Sequence, residues 1–286
     1  MSSKLLLTPG PTNIPERYLK IFGEDIIHHR TPEFRRILKE NNENLKKVFK
    51  TKNDVYTLTT SGTGAMEAAV VNFFSKGDKV LVINTGYFGE RFAKIAEIYA
   101  LDVINLKYEF GDGYELDDVK KILSENPDLR GILATHSETS VGILNNIEAL
   151  GNLTKNTDIL LVVDTISGLV ANDFDFDGWN IDVAIAGSQK AFLIPPGLSF
   201  ITISDKAKKA MERSDLPKYY LSIKQYEKYF EELTETPYTP AISLIIALNY
   251  SLKDLLAKGI DKCIREKYEL RKHIEEKAQK LGFNLL

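Results

Sequence analysis

The stretch Gly187-Ser188-Gln189-Lys190-Ala191-Phe192 follows the apolar run Val183-Ala184-Ile185-Ala186 and precedes Pro195-Pro196-Gly197. The run has the composition of a buried strand, so Lys190 stands just past a strand end and ahead of a rigid turn. A lysine ordinarily keeps its ammonium in water. Taken alone, this one reads as a lysine paired with a carboxylate at a strand end as readily as it does as a reactive amine. Two other stretches change its setting. Leu160-Leu161-Val162-Val163-Asp164 reads as a second buried strand ending in a carboxylate. Thr59-Thr60-Ser61-Gly62-Thr63-Gly64 joins a strand to a helix through small hydroxyl residues, the composition of an anion cradle at a helix N-terminus.

Outward from these stretches, apolar runs alternate with amphipathic patterns. Strands are predicted near 55–60, 80–84, 102–106, 131–136, 159–164, 182–186 and 198–203, with helices at 65–74, 90–99, 116–125 and 147–155 between them. This predicts an α/β domain on a mostly parallel seven-stranded sheet with helices on its faces. Such sheets bind ligands at the carboxyl ends of their strands, where all three stretches begin. Before the sheet, Thr8-Pro9-Gly10-Pro11-Thr12-Asn13 has turn chemistry and forms an arm, either frayed or packed on a neighbour. Thr31 and Pro32 are placed to start a helix carrying Phe34, Ile37, Leu38, Leu45 and Val48. After the sheet come a charged helix at 206–213, a tyrosine-rich connection at 219–238 read as amphipathic packing, and the turn Thr236-Pro237-Tyr238-Thr239-Pro240. An apolar helix at 241–257 is capped by Gly259. An amphipathic helix at 261–280 follows, and 283–286 reads as the start of a strand.

Composition narrows the partners. A formal charge of −3 over 286 residues leaves no basic field for nucleic acid or an anionic membrane. No stretch approaches the ~20 apolar residues of a membrane helix, and Leu5-Leu6-Leu7 is too short for a secretory signal. The single cysteine, Cys263, excludes an internal disulfide and fits a reducing compartment. A cytoplasmic protein with neither nucleic-acid nor membrane partners is expected. His28-His29 has no companion ligands at metal spacing, so no metal site is expected.

The chemistry lies at the strand ends. A lysine in a desolvated site loses its proton readily, and the neutral amine condenses with an aldehyde. Asp164 either caps the following helix or pairs with a protonated pyridine nitrogen. Ser61, Gly62 and Thr63 offer hydroxyls and free N–H groups where the helix dipole is positive. A dinucleotide turn fails here on spacing, because Glu67 stands where its third glycine belongs. In Asn84-Thr85-Gly86-Tyr87-Phe88-Gly89, two aromatics between glycines suit a flat ligand. The loop His136-Ser137-Glu138-Thr139-Ser140-Val141-Gly142 is either an ordinary Ser/Thr turn or one that brings Thr139 to a phenolic oxygen. An amine, a carboxylate and a phosphate cradle on one sheet edge point to pyridoxal 5'-phosphate.

With those residues in view, the chain resembles class V aminotransferases of the alanine–glyoxylate and serine–pyruvate type, within the aspartate-aminotransferase-like fold of pyridoxal phosphate enzymes. The resemblance runs from Leu6 onward. It rests on the order and spacing of Thr8–Thr12, Ser61–Ala68, Gly86–Arg91, His136–Gly142, Val163-Asp164 and Gly187–Ala191. It implies that Lys190 is the Schiff-base lysine and proton shuttle, Asp164 the partner of the pyridine nitrogen, Phe88 the stacked ring and Thr139 the phenol-side hydrogen bond. Ser61, Gly62, Thr63 and Gln189 would bind phosphate, with Thr239 rather than Thr236 completing the neighbouring subunit's phosphate site in a homodimer. Gly10 would line the substrate pocket. The implied reaction is transamination between a small amino acid (alanine, serine or aspartate) and a 2-oxo acid such as glyoxylate or pyruvate. Phosphonate transamination or lysis, cysteine desulfuration and cofactor binding without turnover are the alternatives. The resemblance divides the chain into an arm (1–15), a large domain (16–258) and the beginning of a C-terminal small domain (259–286). In the family the small domain supplies the arginine for the substrate carboxylate. Arg265 and Arg271 are expected to face solvent, so weak amino-acid binding and low turnover are expected of this chain.

Overall fold

Thr31 starts the first long helix, its hydroxyl accepting the Phe34 N–H at 3.3 Å while Pro32 takes the first helical position, where a missing N–H costs nothing. The computed structural model describes residues 5–284. A short helix α1 (Glu16–Leu19) precedes this one, α2 (Pro32–Phe49). There follow β1 (Val55–Leu58), α3 (Gly62–Phe73), β2 (Lys79–Asn84), α4 (Tyr87–Ile98), β3 (Asp102–Lys107), α5 (Leu116–Glu125) and β4 (Gly131–Thr135). The hairpin β5 (Ser137–Glu138) and β6 (Ile143–Leu144) leads to α6 (Ile147–Thr154), β7 (Leu160–Asp164), β8 (Val183–Gly187) and β9 (Ser199–Ile203). Four helices close the described chain: α7 (Asp205–Arg213), α8 (Ile223–Leu233), α9 (Ile242–Lys258) and α10 (Ile260–Lys280).

Seven strands form one sheet in the order β1-β9-β8-β7-β4-β2-β3. Neighbours are parallel except where β9 runs antiparallel between β1 and β8. Strands β4, β7, β8 and β9 are buried at every position. Side chains alternate across a strand, so Leu161, Val163, Ala184 and Ala186 join one core with α2, α5, α6 and α9. Leu160, Val162, Val183 and Ile185 join the other with α3, α4, α7 and α8. Burial on both faces is why these strands read as continuous apolar runs rather than alternating ones. Apart from Thr202 in β9, it leaves polar residues only the ends of these strands to occupy.

All seven predicted strands are present. The tyrosine-rich stretch 219–238 is not merely a connection: α8 forms there, burying Ile223 and Tyr226 and setting Phe230 edge-on to Tyr56 at 6.5 Å. Its helical spacing is diluted by intervening lysines and glutamates, which hid it. The 136–142 loop contributes the β5–β6 hairpin. Helices α3 and α4 each begin three residues earlier than predicted, so Gly62, Thr63 and Phe88 lie in first helical turns. The expected strand at 283–286 is not seen in Phe283 or Asn284, and Leu285 and Leu286 lie outside the described residues.

Asp182 ties the amino-end side of the sheet together. Its carboxylate accepts the Leu161 N–H at 2.9 Å and the Ser204 hydroxyl at 2.7 Å, and it pairs with Lys206 Nζ at 2.8 Å. Removing it leaves the buried Leu161 N–H without its acceptor and takes the carboxylate from Lys206, whose ammonium keeps the Thr154, Thr157 and Ile159 carbonyls. Asp182→Ala should therefore lower stability by about 3 kcal/mol in urea unfolding, with little change at the opposite sheet edge.

Candidate active site

Lys190 is placed by the loop between β8 and β9. The Ser188 N–H donates to Leu198 O at 3.0 Å, while the Ser188 hydroxyl accepts the Leu198 N–H at 3.2 Å and donates to Pro195 O at 2.7 Å, closing the loop at its base. Phe192 and Ile194 bury themselves in the core, and Ser251 of α9 donates to the Phe192 carbonyl. The Leu193 N–H returns to Lys190 O at 3.1 Å. Lys190 is thus, with Gln189, one of two long polar side chains in a loop whose Phe192 and Ile194 are pinned beneath it.

Its side chain enters a cavity of about 240 Å³ at the carboxyl edge of the sheet. That cavity gathers Gly10, Ser61, Gly62, Thr63, Phe88, Asp164, Gln189 and Lys190, all but two of the residues singled out from the sequence. Thr139 stands outside the lining, with its Oγ1 3.5 Å from the hydroxyl of Ser167, a wall residue. Thr239 is exposed on its turn, whereas Thr236 is buried and donates to Tyr238 O at 2.7 Å. Arg271 pairs with Glu275 at 3.2 Å, stacks on Tyr268, and rims a second cavity of about 610 Å³ that shares Ser137 and Ser167 with the first.

The cavity perturbs its titratable groups. Burial pushes the Asp164 carboxyl up to about 7; the Ile166 N–H, bonded to Oδ1 at 2.8 Å, opposes this, nearby Glu138 adds to it, and Arg91 and Lys190 oppose it. Burial pushes the Lys190 amine down, with Asp164 acting the other way. Beside them, burial holds His136 down at about 4, a neutral imidazole packed on Phe174 and Trp179.

Phe88 is held by its backbone. The N–H groups of Phe88 and Gly89 both donate to Glu138 Oε2 at 3.0 Å, and Glu138 Oε1 accepts from Ser140 Oγ at 2.6 Å and Ser140 N at 3.3 Å. The first N–H groups of a helix lack intrahelical partners and carry positive dipole, so a fully buried carboxylate is stable there. Sequence reading assigned no role to Glu138, nor to Arg91, Ser137, Ile166 and Ser167, which line the cavity. Arg91 follows Phe88 by one helical turn, a spacing legible in the sequence; the others need the tertiary fold.

The lining fits a flat anionic cofactor. Ser61 precedes α3 with a side chain that makes no capping bond, leaving its hydroxyl available next to the free N–H groups of the first turn. Gln189 carries a buried amide oxygen without a partner, and a turn of the amide presents its N–H donors at the same place. A Cβ on Gly10 would lie 2.4 Å from Lys190 Cδ, so the arm closes over that amine in this position of the lysine side chain because residue 10 carries none of its own.

A parallel sheet with an amine, a carboxyl and an anion cradle at its carboxyl edge defines a pyridoxal phosphate site of the aspartate-aminotransferase-like fold. The model of the family described as aminotransferase class-V matches residues 13–285. An uncharacterised aminotransferase of Methanocaldococcus jannaschii is 41% identical over 99% of this chain and 74% of its own length. The L-aspartate–glyoxylate aminotransferase of Paracoccus denitrificans is 34% identical over 99% and 73%. The alanine–glyoxylate aminotransferase of a Nostoc species superposes with a TM-score of 0.94 at 28% identity, over 99% of this chain and 76% of that one. The chain belongs to the class V aminotransferases, enzymes whose cofactor is pyridoxal 5'-phosphate.

Asp164 sets a pH dependence in the cofactor-free protein. With its folded value near 7 and its ordinary value at 3.8, the folded chain keeps this proton where the unfolded chain has lost it. Its favourable contribution is complete below about pH 4 and is lost as pH rises through 7, by up to about 4 kcal/mol. Asp164→Asn removes the titration, so the midpoint of thermal unfolding should fall less between pH 5 and 8 in the variant than in the parent.

Proposed function

We propose that the enzyme transfers the amino group of a small amino acid, alanine, serine or aspartate, to a 2-oxo acid such as glyoxylate or pyruvate, with Lys190 as the residue that carries the cofactor. The observation that carries this reading is the half-buried Lys190 amine, its proton affinity lowered, sharing one cavity with a buried carboxyl and an unspent set of phosphate donors. The names of the relatives support the substrates, an aspartate–glyoxylate enzyme among them and a serine–glyoxylate enzyme of Arabidopsis thaliana at 33% identity.

When bound, pyridoxal phosphate supplies the aldehyde and the electron-withdrawing ring. Lys190 Nζ would hold the cofactor at its aldehyde carbon and, when free, would carry the proton taken from and returned to the substrate α-carbon. Asp164 holds its negative charge against the ring N–H, which supplies the counter-charge that burial denies it. Phe88 keeps one ring face dry, and Thr139, reaching past Ser167, orients the phenolic side. Ser61, Gly62, Thr63 and Gln189 hold the phosphate, and Gly10 borders the space for the amino acid. Cys263, the one cysteine, is buried in α10, which argues against sulfur transfer by a mobile thiol.

The exposure of Thr239 beside an inward-turned Thr236 supports a homodimer in which Thr239 reaches the neighbouring phosphate site. The break at Gly259, with φ of 86° between α9 and α10, supports the division into an arm (1–15), a large domain (16–258) and a second segment from 259. With no disulfide to form within the chain, a cytoplasmic setting accompanies the reading.

Borohydride treatment of the cofactor-loaded protein should fix the label on Lys190 and leave none on Lys190→Ala. Alanine, serine or aspartate should convert the bound cofactor to its amine form, regenerated by glyoxylate. Label on another lysine, or sulfur release from cysteine with no response to alanine, would overturn the assignment. Light scattering of the loaded protein should give a dimer, and Thr239→Ala should raise the cofactor dissociation constant by about tenfold through one lost phosphate contact.

A further inference from the structure

Arg91 is the cation of the cavity to which no role has been given. It lies one turn into α4, with its guanidinium carbon 4.9 Å from the Phe88 ring centre and 5.1 Å from that of Tyr87. Its Nη1 donates to Thr63 Oγ1 at 2.9 Å, across to the first turn of α3. A guanidinium is always charged and carries five N–H donors. Among the described residues this is its one hydrogen bond, and it has no ion pair. The buried carboxylate of Glu138 has both oxygens taken by the Phe88, Gly89 and Ser140 donors, and Asp164, which feels the Arg91 charge across the cavity, forms no ion pair with it. The remaining N–H donors are therefore unspent on a wall shared with Lys190, beside the Tyr87 and Phe88 rings.

We propose that Arg91 is an anion-binding residue of this site, its free N–H groups taking an oxyanion that lies against Thr63. The inference rests on the functional reading above and extends it. Planar two-point contact with an oxyanion is the chemistry arginine performs best. The bond to Thr63 favours the cofactor's phosphate as the source; a substrate carboxylate has the same chemistry. Thr63 then has two parts, its N–H facing the anion and its hydroxyl orienting the fork.

Full-length Arg91→Gln and Arg91→Lys, with thermal unfolding as a fold control, are titrated with pyridoxal phosphate and with pyridoxal, which lacks the phosphate. Arg91→Gln should weaken pyridoxal phosphate roughly 10- to 100-fold, leave pyridoxal within about twofold, and reduce competition by inorganic phosphate; Arg91→Lys should fall between. Unchanged pyridoxal phosphate affinity with a comparable rise in the half-saturating amino acid identifies a substrate carboxylate as the anion, and the proposal stands. If pyridoxal and its phosphate weaken in parallel, Arg91 is only a brace between α3 and α4 and the proposal falls, as it does if nothing changes. A parent protein that takes up no pyridoxal phosphate would overturn the functional reading instead, and calorimetry with inorganic phosphate on parent and Arg91→Gln would still decide the role of Arg91.

Discussion

A buried carboxyl and a half-buried amine at the same sheet edge are the constraint around which this molecule is arranged. Asp164 is buried at the end of the middle strand β7, and Lys190 follows its neighbour β8. Burial disfavours the charged form of both, raising the acid and lowering the amine toward the pH at which each exchanges a proton. An exposed pair would lose this property to solvent. The helices packed on both faces of the sheet bury Asp164, and the Phe192 and Ile194 anchors hold the Lys190 loop beside it.

The same economy governs the helix ends that face the cavity. Helix α4 begins on a buried glutamate that satisfies its leading N–H groups and so fixes Phe88; α3 begins without such a partner, and its leading N–H groups stay available. Two helix starts side by side, one satisfied within the chain and one left open, separate a structural role from a binding role. Arg91 joins them through Thr63 and the Phe88 ring.

Much of this was legible in the residue pattern. Continuous apolar runs announce strands buried on both faces, and the order of strands and helices announces a parallel sheet with its ligand at the carboxyl ends. Asp164 ends a strand, and Lys190, Ser61, Gly62, Thr63, Gln189 and Phe88 each stand within five residues of a strand's carboxyl end, so locating the strands located them. Gly10 came from resemblance alone, and its approach to the Lys190 side chain is a tertiary contact. Helix α8 escaped because its buried positions are few and separated by charges.

What the sequence by itself determined is the class of fold, the strand ends and the residue types available there, because these follow from local periodicity and turn chemistry. What only the tertiary structure decided is which polar groups are spent and which remain. Glu138 and Ser188 lie among hydroxyl and amide residues of similar appearance to Ser61 and Gln189, yet the first two satisfy the chain's own backbone and the last two do not. The direction of a side chain, and so its partner, is set by packing between elements distant in sequence. The shifted protonation of Asp164 and Lys190 has the same origin, since burial belongs to the assembled layers and to no single segment.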